Sequence, residues 1–352
     1  MAPDSRYYGH QLGGVSTKLR RRLLAATLAL YLVLTVFNTL TEARTEPVND
    51  PWSEISLDFT AYEKPPLHGS FTLASLSPSS TFLSTSPTGQ WKSWTRISIP
   101  DHPAIQKYVR YYENQGRRTF EEALERSWYY VPVMSEILES HGVPAELVYV
   151  VMVESCFKRH ASYKGAGGYW QLLASTARSQ GLRVDRWVDE RKDPVKSTQA
   201  AAKYLRANYD QLGSWALALA AYNAGAGPVL SARKRGRTGD FSELANSRQL
   251  PGLTRVYVYK VLAAVKIVRD LEKHGFERPR YFSVYDFEPI WVRSPLRLEQ
   301  VANWIDVPVS EMQELNPSLR QDRLPPGSGF TLHLPPGARD KFDVAYANYL
   351  KK

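Results

Sequence analysis

The stretch Leu147-Val-Tyr-Val-Val-Met-Val-Glu-Ser-Cys-Phe157 holds one acidic residue, Glu154, in otherwise almost wholly apolar company. At helical spacing its neighbours are Leu147, Val150, Val151 and Phe157, so the carboxylate falls on the apolar face. An unpaired carboxylate in such a place resists ionisation, so its pKa rises and it holds a proton near neutral pH. A carboxylic acid kept neutral in this way is what protonation of a glycosidic oxygen requires. The same stretch also fits a structural Glu, capped by backbone groups or paired with Lys158 or Arg159. Pattern alone leaves both readings open.

Outward from this stretch the signals stay helical. Upstream, helices are predicted from near Pro103, with Thr119 as an N-cap and Tyr130 to Ser140 as an amphipathic run ended by His141-Gly142. Pro144 suits the first turn of the helix that carries Glu154. Downstream comes a Gly-rich loop, Lys164-Gly-Ala-Gly-Gly-Tyr-Trp-Gln171. Asp193-Pro194 opens a helix through Asn208 that Gly213 stops, and Ser214 caps a very apolar helix, Trp215 to Tyr222, that Gly225 ends. Thr254 to His274 reads as the longest helix, with Val258, Val261, Leu262, Val265 and Val268 on its inner side. Residues 100–278 therefore read as one all-helical domain.

From Tyr281 the pattern changes to a small α+β unit over 281–337. Tyr281 to Tyr285 and Ile290-Trp-Val292 look like strands, Leu298 to Trp304 and Ser310 to Leu315 like short helices, and Phe330 to Leu334 like a closing strand. Residues 338–352 read as a C-terminal tail. At the other end, 23–40 is a run without charges preceded by Lys18, Arg20, Arg21 and Arg22, with 1–22 as its basic flank. It is long enough to span a bilayer with the flank left in the cytoplasm, or to serve as a cleaved signal segment. Residues 41–99 read as a flexible Ser/Thr/Pro-rich linker, since 15 of the 21 residues in 69–89 are Ser, Thr, Pro or Gly.

The 352 residues carry a formal charge of +10, which favours anionic partners, but no nucleic-acid motif accompanies it and nucleic acid is not expected as a partner. The 12% aromatic content suits stacking on flat ligands and core packing equally. Cys156 is the only cysteine, which excludes an intrachain disulfide, a zinc-cysteine cluster and a cysteine-ligated iron–sulfur site. We expect no cofactor and no metal.

Four short motifs fall in order: Val153-Glu-Ser155, Gly168-Tyr-Trp-Gln171, Ala221-Tyr-Asn-Ala-Gly225 and Thr254-Arg-Val-Tyr-Val258. Together they resemble the soluble-lytic-transglycosylase domain of glycoside hydrolase family 23, and within it the membrane-bound D branch, over about residues 100–275. The resemblance implies a goose-lysozyme-like helical fold, a cleft for peptidoglycan strands, and Glu154 as the single catalytic acid and base. It also implies substrate contacts from Ser162, Gln171, Tyr222, Asn223 and Tyr257, with Ser155, Gly168 and Trp170 shaping the site. Trp170 fits core packing and sugar stacking evenly. The chain departs from the family at Lys158-Arg159, where Asn-Pro is usual, and at Ala161-Ser162, which is one residue short.

The family scheme needs no second carboxylate. Asp185, Asp189, Glu190 and Asp193 are expected as surface charge, with Asp193 a helix cap. A goose-type muramidase would instead need Asp185 or Asp189 across the cleft from Glu154, and a non-catalytic wall-binding scaffold would keep the fold alone. Val307-Pro-Val-Ser-Glu-Met-Gln-Glu-Leu-Asn-Pro317 resembles part of a lysin motif, but Ser294-Pro-Leu-Arg297 replaces the usual Gly-Asp-Thr-Leu entry, which leaves open both a glycan-binding module and a degenerate packing domain. The implied setting is the periplasm, with an N-terminal anchor in the inner membrane.

Overall fold

The computed structural model describes residues 96–278, 285–327 and 329–351. The basic segment 1–22, the apolar span 23–40, nearly all of the 41–99 linker and residues 281–284 of the first expected strand lie outside the described residues. Among the described residues no helix is long and apolar enough to cross a membrane. Ile97 is already buried, its backbone gripped by the side chains of Glu146 and Arg269.

The described chain is mainly α. Helix α1, Pro103–Glu113, starts with proline at its first turn and a cap from His102, whose Nδ1 accepts from Ala104 N at 3.1 Å. Helix α2, Arg117–Ser140, is the longest at 24 residues and runs through Pro132 without a break. It begins at Gly116, so Thr119 lies inside the helix and is not its cap. Arg117–Glu121 and Arg118–Glu122 pairs extend the first turn upstream of the expected start.

A 3-10 turn, Ala145–Tyr149, leads into α3, Val150–Ser155, so Pro144 introduces the turn and not the α-helix itself. This short segment is enclosed on nearly every side. Leu147, Val150, Val151 and Met152 are at most 4% exposed, about 1.5–3 kcal/mol of apolar burial apiece. Cys156 and Phe157 then take left-handed backbone, φ 51° and 58°, and turn the chain sharply.

The expected Gly-rich loop is a three-stranded antiparallel sheet of two-residue strands: β1 Ser162–Tyr163, β2 Ala166–Gly167 and β3 Leu172–Leu173. After α4, Ala174–Ser179, comes α5, Pro194–Leu212, capped by Asp193, whose Oδ1 accepts from Val195 N and Lys196 N at 2.9 Å. Helix α6, Trp215–Ala224, ends at Gly225 as expected, and α7, Ala226–Gly236, and α8, Phe241–Asn246, follow. Helix α9 spans Gly252–Arg269, 18 residues, and is not the longest. Asp270 leaves helical backbone at φ −149°, and Glu272–His274 is a separate 3-10 turn. Its inner residues Val258, Val261, Leu262 and Val265 are buried, whereas Val268 is half-buried. Helix α9 packs against α1, α6 and α3, which sets the Glu154 helix in the core.

The C-terminal module is a strand–helix–helix–strand unit. Strands β4, Glu288–Val292, and β5, Phe330–Leu334, pair antiparallel with Ile290 opposite Leu332, and α10, Leu298–Ile305, and α11, Val309–Leu315, lie between them in sequence. Residues 338–352 are not merely a tail. They hold α12, Arg339–Leu350, whose Phe342 is buried in the module core and lies 5.9 Å from the Trp304 ring.

Candidate active site

Glu154 stands in the last turn of α3. Protein atoms crowd its carboxyl, while the residue as a whole is half-buried. Burial pushes the carboxyl up to about 7 from its ordinary 4.5, and the Tyr257 hydroxyl takes back part of that rise. The Tyr257 contact is looser than an ordinary hydrogen bond, because buried Tyr257 Oη has no partner in bonding geometry. Neither Lys158 nor Arg159 contributes to the shift, and no second carboxylate does. That disfavours the ion-paired structural reading of Glu154.

Tyr222 and Tyr257 complete the immediate surroundings. Burial raises both phenols well above their ordinary range, and the nearby Glu154 carboxyl adds to the effect on each. Both are therefore neutral hydrogen-bonding groups beside the acid. They reach it from α6 and α9, whose packing on one another fixes the pair.

A short set of backbone contacts ties the motifs together. Ser155 Oγ donates to Tyr169 O at 2.7 Å, and Tyr222 Oη donates to Trp170 O at 2.7 Å. The Gly168–Gln171 segment is thus held from the Glu154 helix on one side and from α6 on the other. Gly168 has φ 76°, and a Cβ there would lie 1.8 Å from Arg191 O, so only glycine fits. Trp170 is fully buried and its Nε1 donates to Thr198 Oγ1 at 2.8 Å, which makes it a core residue and removes it as a sugar-stacking surface. Gln171 sits at φ 46° and donates Nε2 to Ala161 O at 2.9 Å and Gly168 O at 2.7 Å. Its amide nitrogen therefore shapes the loop.

Ser162 is exposed on β1, where Oγ donates to Ala166 O at 3.2 Å. Asn223 is exposed beside Tyr222, and its Oδ1 accepts from Thr254 Oγ1 at 2.9 Å. That bond leaves the Asn223 amide nitrogen pointing elsewhere as a donor. Thr254 is buried and was not singled out by sequence reasoning, although it opens one of the four motifs. Cys156 is half-buried, and desolvation raises its thiol pKa, the opposite of a reactive cysteine.

Two expected surface acids are not on the surface. Asp189 is 3% exposed and its carboxylate is taken by Arg191 and Arg320, while Glu190 is held by Lys196 at 2.6 Å and by the Arg183 backbone. Asp185 is engaged by the Arg183 side chain and by the backbone of Trp187 and Val188. Among the described residues no group of three or more His, Cys, Asp or Glu is placed to hold a metal ion. A depression of about 500 Å³ opens in the C-terminal module, away from Glu154, with Arg297, Glu299, Gln313, Asp322 and Arg323 among its lining residues.

Comparison with known proteins finds matches in both parts of the chain. The family described as "Transglycosylase SLT domain" matches residues 134–245, and "Lytic transglycosylase MltD, LysM-like domain" matches residues 286–350. Membrane-bound lytic murein transglycosylase D of Escherichia coli (strain K12) is 32% identical over 239 residues, covering 65% of this chain and 51% of the relative. Membrane-bound lytic murein transglycosylase F of Stutzerimonas stutzeri is 28% identical over 197 residues, covering 53% of this chain and 36% of the relative. The chain thus spans about half the length, or less, of these curated relatives. Among solved structures, an inactive mutant of lytic transglycosylase Slt from Pseudomonas aeruginosa is similar at 20% identity and a TM-score of 0.36, covering 56% of this chain and 42% of that one.

Proposed function

We propose that this chain, which carries a transglycosylase SLT domain followed by an MltD-type LysM-like domain, is a peptidoglycan lytic transglycosylase. It cleaves the β-1,4 bond between N-acetylmuramic acid and N-acetylglucosamine and leaves a 1,6-anhydromuramic end. The observation that carries this reading is the lone Glu154 carboxyl, raised to about 7 by burial, with no second carboxylate contributing.

In the first step the neutral Glu154 donates its proton to the glycosidic oxygen, and the C1–O bond breaks with its electrons leaving on that oxygen. Glu154 is then an anion, which the Tyr257 hydroxyl stabilises. In the second step this anion takes the proton of the C6 hydroxyl as its oxygen bonds to C1. The ring closes without water and Glu154 is neutral again. Asn223, its carbonyl held by Thr254, and Ser162 supply hydrogen-bonding groups for the sugars.

A goose-type muramidase would need a water-activating carboxylate. The engagement of Asp185 and Asp189 with other partners argues against that role for them. The depression in the C-terminal module supports glycan binding there, since its polar lining suits sugar hydroxyls. We place the protein's work in the periplasm, at the inner membrane, through the apolar span 23–40.

Digestion of purified peptidoglycan with the chain, followed by mass spectrometry of the fragments, tests the proposal. Anhydro ends are expected from the wild type and none from Glu154→Gln. Reducing muramic ends would make the protein a hydrolase, and binding without release of fragments would make it a scaffold.

A further inference from the structure

The C-terminal module is joined to the site's hairpin by a chain of charges that leads from one to the other. Residues 187–189 of the helical domain run antiparallel to 318–320 of the module. Asp189 N donates to Ser318 O at 2.7 Å, Arg320 N donates to Trp187 O at 2.9 Å, and Val188 faces Leu319. Val188 is fully buried in the module's own core, packed with residues such as Ile290, Val292 and Leu332. The module core is therefore completed by a residue of the other domain, which is not how a bead on a flexible string is built.

The charges extend the contact inward. Asp189 accepts from Arg191 Nε at 2.8 Å and Nη2 at 2.9 Å, and from Arg320 Nη2 at 2.8 Å. Arg191 turns its remaining nitrogen the other way, and Nη1 donates to Gly165 O at 2.9 Å and to Leu172 O at 3.1 Å. These carbonyls lie in the turn between β1 and β2 and on β3, so one guanidinium bridges the sheet. The fit is close enough to dictate sequence. A Cβ on Gly167 would lie 3.1 Å from the Arg191 guanidinium carbon, and one on Gly168 would collide with Arg191 O. The base of the hairpin is also tied through Ser155 and Tyr222, but its tip, with exposed Ser162 and Tyr163, is reached by Arg191 at Gly165.

We infer that the C-terminal module is a brace for the Gly-rich hairpin, and that Arg320 is a positioning residue acting through Asp189 and Arg191 on Gly165 and Leu172. The inference rests on the proposed function only in taking the hairpin as part of the substrate site. The module then sets the catalytic site's shape as well as any hold on glycan.

The test uses the full chain with Arg320→Ala and Arg320→Lys. The Arg320 side chain is 39% exposed, so its removal leaves no hole in the core. Hydrogen exchange is followed in peptides spanning 161–173 and, as a control, in peptides from α9, alongside kcat and KM on peptidoglycan. A charge-assisted bond lost from a buried carboxylate should raise hairpin exchange about tenfold in Arg320→Ala while α9 stays protected. The kcat should fall several-fold with a smaller change in KM, and Arg320→Lys, which keeps the charge but loses the guanidinium geometry, should show the same changes at reduced size.

Unchanged hairpin exchange in Arg320→Ala overturns the brace, as does a rise in KM alone, which would make the module a glycan-holding appendage. If α9 also loses protection, Arg320→Lys decides: raised hairpin exchange with α9 protected supports the brace, and wild-type exchange contradicts it. A wild type that releases no product would sink the enzyme reading while the exchange result still judges the brace.

Discussion

Replacing Glu154 by Gln should stabilise the protein, increasingly so as pH rises. The carboxyl is raised by burial from 4.5 to about 7 in the folded chain. Below about 4.5 folded and unfolded chains both hold the proton and nothing is lost. Above it the unfolded chain ionises first, so wild-type stability falls with rising pH until the folded pKa near 7 is passed, where the loss levels off. At ~1.36 kcal/mol per pH unit between the two values, the full penalty is about 3 kcal/mol. Gln keeps the size and hydrogen-bonding shape of the neutral acid but has no proton to lose. The stability gap between Glu154→Gln and wild type should therefore widen by about 2.5 kcal/mol between pH 5 and pH 8. Urea unfolding of both proteins across that range measures it. A gap that does not change with pH would refute the raised pKa, and one that narrows as pH rises would mean the carboxylate is stabilised as an anion in the fold. The wild type would be carrying an unstable group for the sake of its chemistry.

Activity should fall as pH rises through about 7, where Glu154 loses the proton it must donate. Tyr257→Phe removes the hydroxyl that lowers the Glu154 pKa, so the alkaline limb of its pH–rate profile should move to higher pH; a limb that stays put would remove Tyr257 from the acid's surroundings. Thr254→Val frees the Asn223 amide to rotate and should lower kcat/KM about three- to tenfold, the worth of one hydrogen bond, whereas unaltered kinetics would show that Asn223 needs no such hold. Gly168→Ala puts a Cβ against Arg191 O in left-handed backbone, so thermal unfolding should report a loss of about 3 kcal/mol or more. An undiminished melting temperature would mean that the hairpin shifts freely.

Some of this was legible in the sequence for definite reasons. Asp193, Gly213 and Gly225 bound helices where local chemistry says they should, because caps and left-handed ends are decided within a few residues. The apolar run around Glu154 announced a buried helix, and two of the module's three expected strands and its two helices fell where the period changed. The hairpin strands stayed hidden because two residues carry no period. Asp189 looked like surface charge because one of its two arginine partners, Arg320, is 131 residues away. Trp170 could be assigned to the core only once Thr198 was seen beside it. Helix α12 was read as a tail because its spacing of Phe342, Tyr346 and Tyr349 gains meaning only against Trp304.

The water-free role of Glu154 is tested most directly by digesting peptidoglycan in oxygen-18 water and weighing the new ends. The account predicts anhydromuramic ends that carry no oxygen-18, formed by the wild type and absent with Glu154→Gln. Oxygen-18 at newly formed reducing ends, or undiminished cleavage by Glu154→Gln, would contradict it.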